Sequence, residues 1–212
     1  MPQADILQDF KRTVATTRDA RFQANLRLVR RHYLSSYLIS LLSLYVIALS
    51  LYPNIATPQL TQQQTQILLA STIVLSIFII ILSLTESSRN YYHHGEVLHD
   101  CAREVGRIYN KLKLIREDDE GLTEIIGKYA HEYEEALRHC HANHQNIDYY
   151  RVRASKPILF PKYYTHHWII NEILRWGNWT IVLAGEYFWA AFPLIFVIII
   201  SYVCWAYVLR VA

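Results

Sequence analysis

The chain has 212 residues, 52% of them hydrophobic and 18% charged, with a formal net charge of +3. Six Gly and six Pro supply too few turn signals for an all-β fold, and mean hydropathy lies slightly above zero. The apolar residues fall in three blocks, which excludes an ordinary soluble domain and leaves room for one globular unit of about 100 residues. Cys101, Cys140 and Cys204 are odd in number and widely spaced, which argues against a disulfide framework and suits a reducing cytoplasm.

Residues 1–32 read as a basic, partly amphipathic arm, with Arg12, Arg18, Arg21, Arg27, Arg30 and Arg31 diluted by Asp5, Asp9 and Asp19. This long polar start is unlike a cleaved signal peptide, so the first span is expected to remain in the mature protein. Attraction to anionic lipid headgroups explains the arm more simply than nucleic-acid binding. Membrane lipid is therefore an expected partner, and direct nucleic-acid binding is not expected.

An uncharged block at 33–52 stops at Pro53-Asn54, close to the ~20 apolar residues that cross a hydrocarbon core. A second block covers 66–84 and contains an isoleucine-rich run at 77–81. In lipid the backbone must satisfy its own hydrogen bonds, so helix is expected there despite the β-branched residues. The linker at 53–65 has no charge, whereas Arg89, Arg103, Arg107, Lys111 and Lys113 follow the second block. The positive-inside rule then puts the N-terminus and the central region in the cytoplasm.

Residues 85–154 read as a helical hairpin. Val97, Cys101, Val105, Ile108, Leu112 and Ile115 recur at the helical period, which predicts one long helix continuing from the second span and bent near Gly95. The run 117–121 makes a turn, its acids well placed for the next helix N-terminus. Leu122, Ile125, Ile126, Tyr129, Tyr133, Leu137 and Cys140 then share one face of an antiparallel partner helix. Residues 155–186 read as a loop with Pro157 and Pro161, followed by an interfacial helix at 167–184. The third span is expected at 187–209, with aromatics at both ends, Pro193 near its start and Arg210 beyond it. The fold class is all-α: an integral membrane protein with two N-terminal transmembrane helices, a cytoplasmic helical hairpin and a C-terminal transmembrane helix.

Catalytic motifs are missing: there is no nucleophile elbow, phosphate-cradling Gly loop or HExxH pair. His139, Cys140, His141 and His144 crowd into six residues. Neighbours on a helix diverge, so they read as a helix end favourable to the dipole rather than as a zinc site. His93 and His94 could sense pH, but exposed juxtamembrane histidines rarely do. No enzyme activity, metal or cofactor is expected.

The spans carry the more informative signal. Ser36, Ser40, Ser43 and Ser50 share one face of the first, and Thr72, Ser76 and Ser83 share one face of the second. Such stripes serve close helix packing, or they line a water-filled path. Three spans cannot enclose a pore alone, so a pore requires a homo-oligomer.

The order of arm, paired spans and helix, together with the segment Asn143-His144-Gln145-Asn146-Ile147-Asp148-Tyr149-Tyr150-Arg151, resembles the SLATT group of two-transmembrane effectors of bacterial defence systems. The resemblance covers roughly 9–155 and leaves the third span outside. It implies an inner-membrane effector of abortive infection that forms pores or disrupts the membrane. It also implies a regulatory partner from a defence operon, either a nucleotide-second-messenger synthase or a reverse transcriptase. Within the segment, Asp148 can cap backbone amides or pair with Arg151, and Tyr149 and Tyr150 can pack on the hairpin. Asn143, His144, Asp148, Tyr149 and Arg151 thus form either a structural latch or a contact for an activating partner. Two other readings remain: a non-conducting anchor for a soluble toxin or sensor, and a zinc enzyme built on 139–144.

Overall fold

The computed structural model describes residues 3–55, 60–117, 119–164 and 168–210. Linker residues 56–59, Asp118 of the expected turn and residues 165–167 lie outside it, as do the side chains of Tyr207 and Arg210. The helices are α1 (Gln3–Ile55), α2 (Gln62–Ser88), α3 (Tyr91–Lys113), α4 (Leu122–His139), α5 (Asn146–Ser155) and α6 (Trp168–Arg210), with a 3₁₀ turn at Pro157–Leu159. There is no strand among the described residues, so the all-α expectation holds. Among the described residues, three helices are long and apolar enough to cross a membrane.

Two of these helices are longer than the sequence blocks implied. Arm and first span form one uninterrupted α1, and α6 runs without a break from the expected interfacial segment through the third span. The expected single helix from the second span into the hairpin is instead broken. α2 ends at Ser88, and Asn90 takes a left-handed φ of 47° before α3 begins, a conformation that Asn tolerates better than most residues. Gly95 is not a bend. It is buried within α3, and its carbonyl accepts a 2.9 Å bond from Asn25 Nδ2. A Cβ there would stand 3.3 Å from both that nitrogen and Val29 Cγ2, so the glycine permits close approach of α1.

The chain divides into two compact units. The first comprises Met1–Arg30 and Tyr91–Glu186. In its core, Val14 of α1 packs with Val105, Ile108 and Leu112 of α3 and Ala136 of α4. The Tyr133 and Thr17 hydroxyls bond at 2.8 Å, and Lys11 Nζ donates to the Ile115 carbonyl beyond the end of α3. The arm expected at lipid headgroups is thus the third helix of a packed core, with Leu7, Val14, Ala15, Ala20 and Ala24 buried. Gly121 precedes α4 as its N-cap, and its φ of 72° suits the absence of a side chain.

The cysteines correct the sequence reading. Cys101 on α3 and Cys140 at the end of α4 form a disulfide, with Cα atoms 5.8 Å apart. They are 39 residues apart in sequence, but pairing of α3 with α4 brings Cys140, just past the end of α4, level with Cys101 in the middle of α3. The bond removes the ground for inferring a reducing compartment from cysteine usage. Cys204 is free and buried.

The second unit comprises Arg31–Asn90 and Tyr187–Ala212. Leu49 of α1, Leu68 and Leu75 of α2 and Cys204 of α6 form its core. Tyr45 Oη donates to Ser201 Oγ at 2.7 Å, Phe78 packs on Phe196 and Tyr52 on Trp205. Arg31 lies over the Trp189 ring and 3.6 Å from Glu86. Thr61 caps α2 through a capping box with Gln64. Only 17%, 22% and 11% of the apolar windows on the three membrane-length helices are buried. So large an uncovered apolar surface suits lipid rather than water.

Candidate functional site

Two sets of residues carry the functional question, one in each unit. In the second unit the hydroxyl stripes have different surroundings. Ser36, Ser40 and Ser50 are exposed, Ser43 and Ser83 are half-buried, and Thr72 is buried. Most of these hydroxyls bond to their own helix: Ser36 to His32 O, Ser40 to Ser36 O, Ser43 to Ile39 O, Ser50 to Ile47 O, Thr72 to Leu69 O and Ser76 to Thr72 O, all at 2.7–2.9 Å. A hydroxyl satisfied in this way can sit against apolar surroundings at little cost. Ser43 and Ser76, one from each stripe, line a shallow groove of about 270 Å³ with Ile47 and Ile80.

In the first unit, residues 143–151 build a cluster of ion pairs. The segment's first turn is shaped locally. Asn143 Oδ1 accepts from the His144 amide, and Asp148, in the first turn of α5, accepts from the Gln145 amide at 2.8 Å. The cap is one of the two local roles that the sequence offered Asp148. The other, pairing with Arg151, does not occur. Arg27 of α1 binds both Asp148 oxygens, at 2.8 and 3.0 Å, and only 1% of the Asp148 side chain is exposed. Arg151 turns the other way and pairs with Glu186 of α6 at 2.6 Å, while Arg30 of α1 reaches the same carboxylate at 3.0 Å. The short α5 therefore joins α1 to α6 through five charged side chains.

The tyrosines extend this junction instead of packing on the α3–α4 hairpin. Tyr149 meets Phe160 edge-on at 5.2 Å, in a cluster with Ala20 and Val152. Tyr150 lies beside the Arg153 guanidinium, which also covers Tyr163 at 3.9 Å and donates to the buried Asn178. α5 also approaches α6 closely: a Cβ on Gly185 would stand 2.5 Å from Ile147 Cδ1. His144 lies by the buried Arg21. Burial first, and then the Arg21 charge, push its imidazole below the ordinary pKa. Burial likewise lowers the Arg21 pKa.

Sequence reasoning missed Arg27, Arg30 and Glu186 as members of the cluster. One signal was available. Glu186 is a lone acid at the mouth of the third apolar block, and an ionisable group there requires a partner. Among the described residues, no three His, Cys, Asp or Glu side chains converge as a metal site, and Cys140 is committed to its disulfide.

A chain that is helical throughout its regular structure, with three membrane-length helices among its described residues, has the build of a helical membrane domain. The match to known families is specific: the model described as SMODS and SLOG-associating 2TM effector domain family 5 covers residues 4–208, and the chain belongs to that family. The match extends past 155 and takes in the third apolar helix, which the resemblance read from the sequence had left outside. Membership makes the chain a membrane effector domain of defence systems, associated by family with SMODS and SLOG partners. Searches of curated proteins and of solved structures found no match.

Proposed function

We propose that this protein is an oligomeric effector of the bacterial inner membrane that permeabilises it during abortive infection, and that the α5 ion-pair cluster holds it at rest. One observation supports this reading above the others. α5 ties α1 and α6 together at Arg27, Arg30 and Glu186, immediately before both helices continue into their apolar lengths. A signal that released α5 would free both helices at once. By the positive-inside rule the N-terminus and first unit would face the cytoplasm, although the Cys101–Cys140 disulfide favours an oxidising compartment. In the cytoplasm a nucleotide-second-messenger synthase or a reverse transcriptase of the same operon could supply that signal. The groove at Ser43 and Ser76 would then be the starting point for a polar path between subunits.

Expression in bacteria with a membrane-impermeant dye tests this. Asp148→Asn or Arg151→Met should admit dye without any trigger, while the wild-type chain alone should not. Growth arrest with intact dye exclusion would refute permeabilisation.

A second reading, a non-conducting anchor for a soluble toxin or sensor, draws on the serine geometry. Hydroxyls already bonded to their own carbonyls have no need of water. It predicts that Ser40, Ser43, Thr72 and Ser76 can all become Leu without loss of toxicity.

A further inference from the structure

A cavity of the first unit lies beside the ion-pair cluster and takes no part in it. It is an open groove of about 700 Å³ between the N-terminal part of α1 and residues 144–163, within the ~300–1,000 Å³ typical of small-molecule sites. Arg12 and Lys162 reach it from different elements and share a single carboxylate, Asp9, at 3.3 and 4.0 Å. One carboxylate neutralises one of two cations, so the rim keeps a positive charge. Thr13 and Thr16 add hydroxyls, and Tyr149 and Phe160 form an aromatic wall.

A third cation, Arg21, does not line the groove but lies by His144, which does. Arg21 sits one turn after Thr17, which lines the groove, and is 5% exposed. Its Nε and Nη1 have no hydrogen-bond partner. His144, another lining residue, has a buried Nδ1 that is also unpartnered. A buried guanidinium without an acceptor is costly, and an anion close by removes much of that cost. Cations at the rim, hydroxyls in the same lining and a π-surface with them match a ligand carrying both phosphate and a planar ring.

We infer that this groove binds a nucleotide, its phosphates between Arg12 and Lys162 and toward Arg21, its base against Tyr149 and Phe160. Tyr149 follows Asp148 directly in α5, so occupancy bears on the neighbouring ion pair. That coupling rests on the function proposed above, whereas binding itself does not.

Equilibrium dialysis of the purified full-length protein in detergent tests the site, with labelled ATP, GTP and cyclic di-GMP as probes and adenosine and inorganic phosphate as controls. At least one nucleotide should bind, and better than either control. The exposed double variant Arg12→Ala/Lys162→Ala should weaken it tenfold or more with no change in thermal unfolding. Arg21→Met should weaken it as well, and if that buried variant fails to fold, the surface pair still decides. No binding of any probe at millimolar concentration, or binding indifferent to Arg12 and Lys162, overturns the inference. Binding of phosphate as tight as that of the nucleotides overturns the role of the aromatic wall. Nucleotide binding in a protein that never permeabilises membranes would leave this site standing and sink the proposed pore.

Discussion

The Arg27–Asp148 pair gives the sharpest test of how α5 is held. Its two contacts are 2.8 and 3.0 Å, with side chains 12% and 1% exposed. Removing either partner from so buried a pair strands a charge and costs about 3–5 kcal/mol, far more than a surface pair would. Replacing both strands nothing. In Arg27→Met, Asp148→Asn and the double variant, the double should therefore cost less than the sum of the singles by ~2 kcal/mol or more. Hydrogen exchange of the α5 amides reads this directly. A helix of ten residues has little stability of its own, so its protection reports its tertiary contacts. Each single variant should lower that protection by a factor of roughly 10² to 10³ or more, since 1.4 kcal/mol is a factor of ten. Additive effects, or unchanged α5 protection in the singles, would refute the claim that this pair holds the helix.

Other expectations follow from single residues. Reducing the Cys101–Cys140 bond, or Cys101→Ser, should destabilise the first unit by about 4 kcal/mol from the 39-residue separation of the cysteines; an unchanged unfolding midpoint under dithiothreitol would contradict it. Gly127→Ala in α4 places its Cβ in open space and should stabilise by about 0.5–1 kcal/mol. Gly95→Ala, crowded at 3.3 Å by Asn25 and Val29, should forfeit that gain, and equal melting shifts for the two would count against the close α1–α3 approach. His144 has a folded pKa below its unfolded one, so as pH falls the unfolded chain takes up the proton first. Its contribution is present above about pH 6.5 and is lost as the pH drops below that value. His144→Gln should flatten this part of the stability profile, and an identical slope in the variant would show that another group titrates.

What was legible in the sequence was local. Long apolar blocks without turn residues announce helices, and a helical period of Val105, Ile108 and Leu112 announces the face that packs. The Asp148 cap is visible for the same reason, since it needs only the amide of Gln145 three residues away. Partners at a distance were not. Arg151 stands three residues from Asp148, yet Asp148 binds Arg27 across 121 residues and Arg151 binds Glu186 across 35. Burial decides such choices, because a desolvated carboxylate takes whichever guanidinium the fold delivers. The Cys101–Cys140 bond escaped notice for that reason too. The stop at Asn90 was hidden differently: nothing in its composition distinguishes a two-residue interruption from continued helix, since Asn and Arg are tolerated in both.

The chain passes between its two units three times, and the three passages differ in kind. At 30/31 and at 186/187 it is uninterrupted helix within α1 and α6, whereas at Arg89 and Asn90 it is a joint. An inserted residue in a helix turns everything beyond it by about 100°, and only an insertion of three or four nearly restores the facing. The spacing from Arg27 and Arg30 to the first apolar length, and from Glu186 to the third, is therefore a matter of phase. A single residue added after Arg30 or after Glu186 would re-aim the side chains of the apolar length that follows within the same helix.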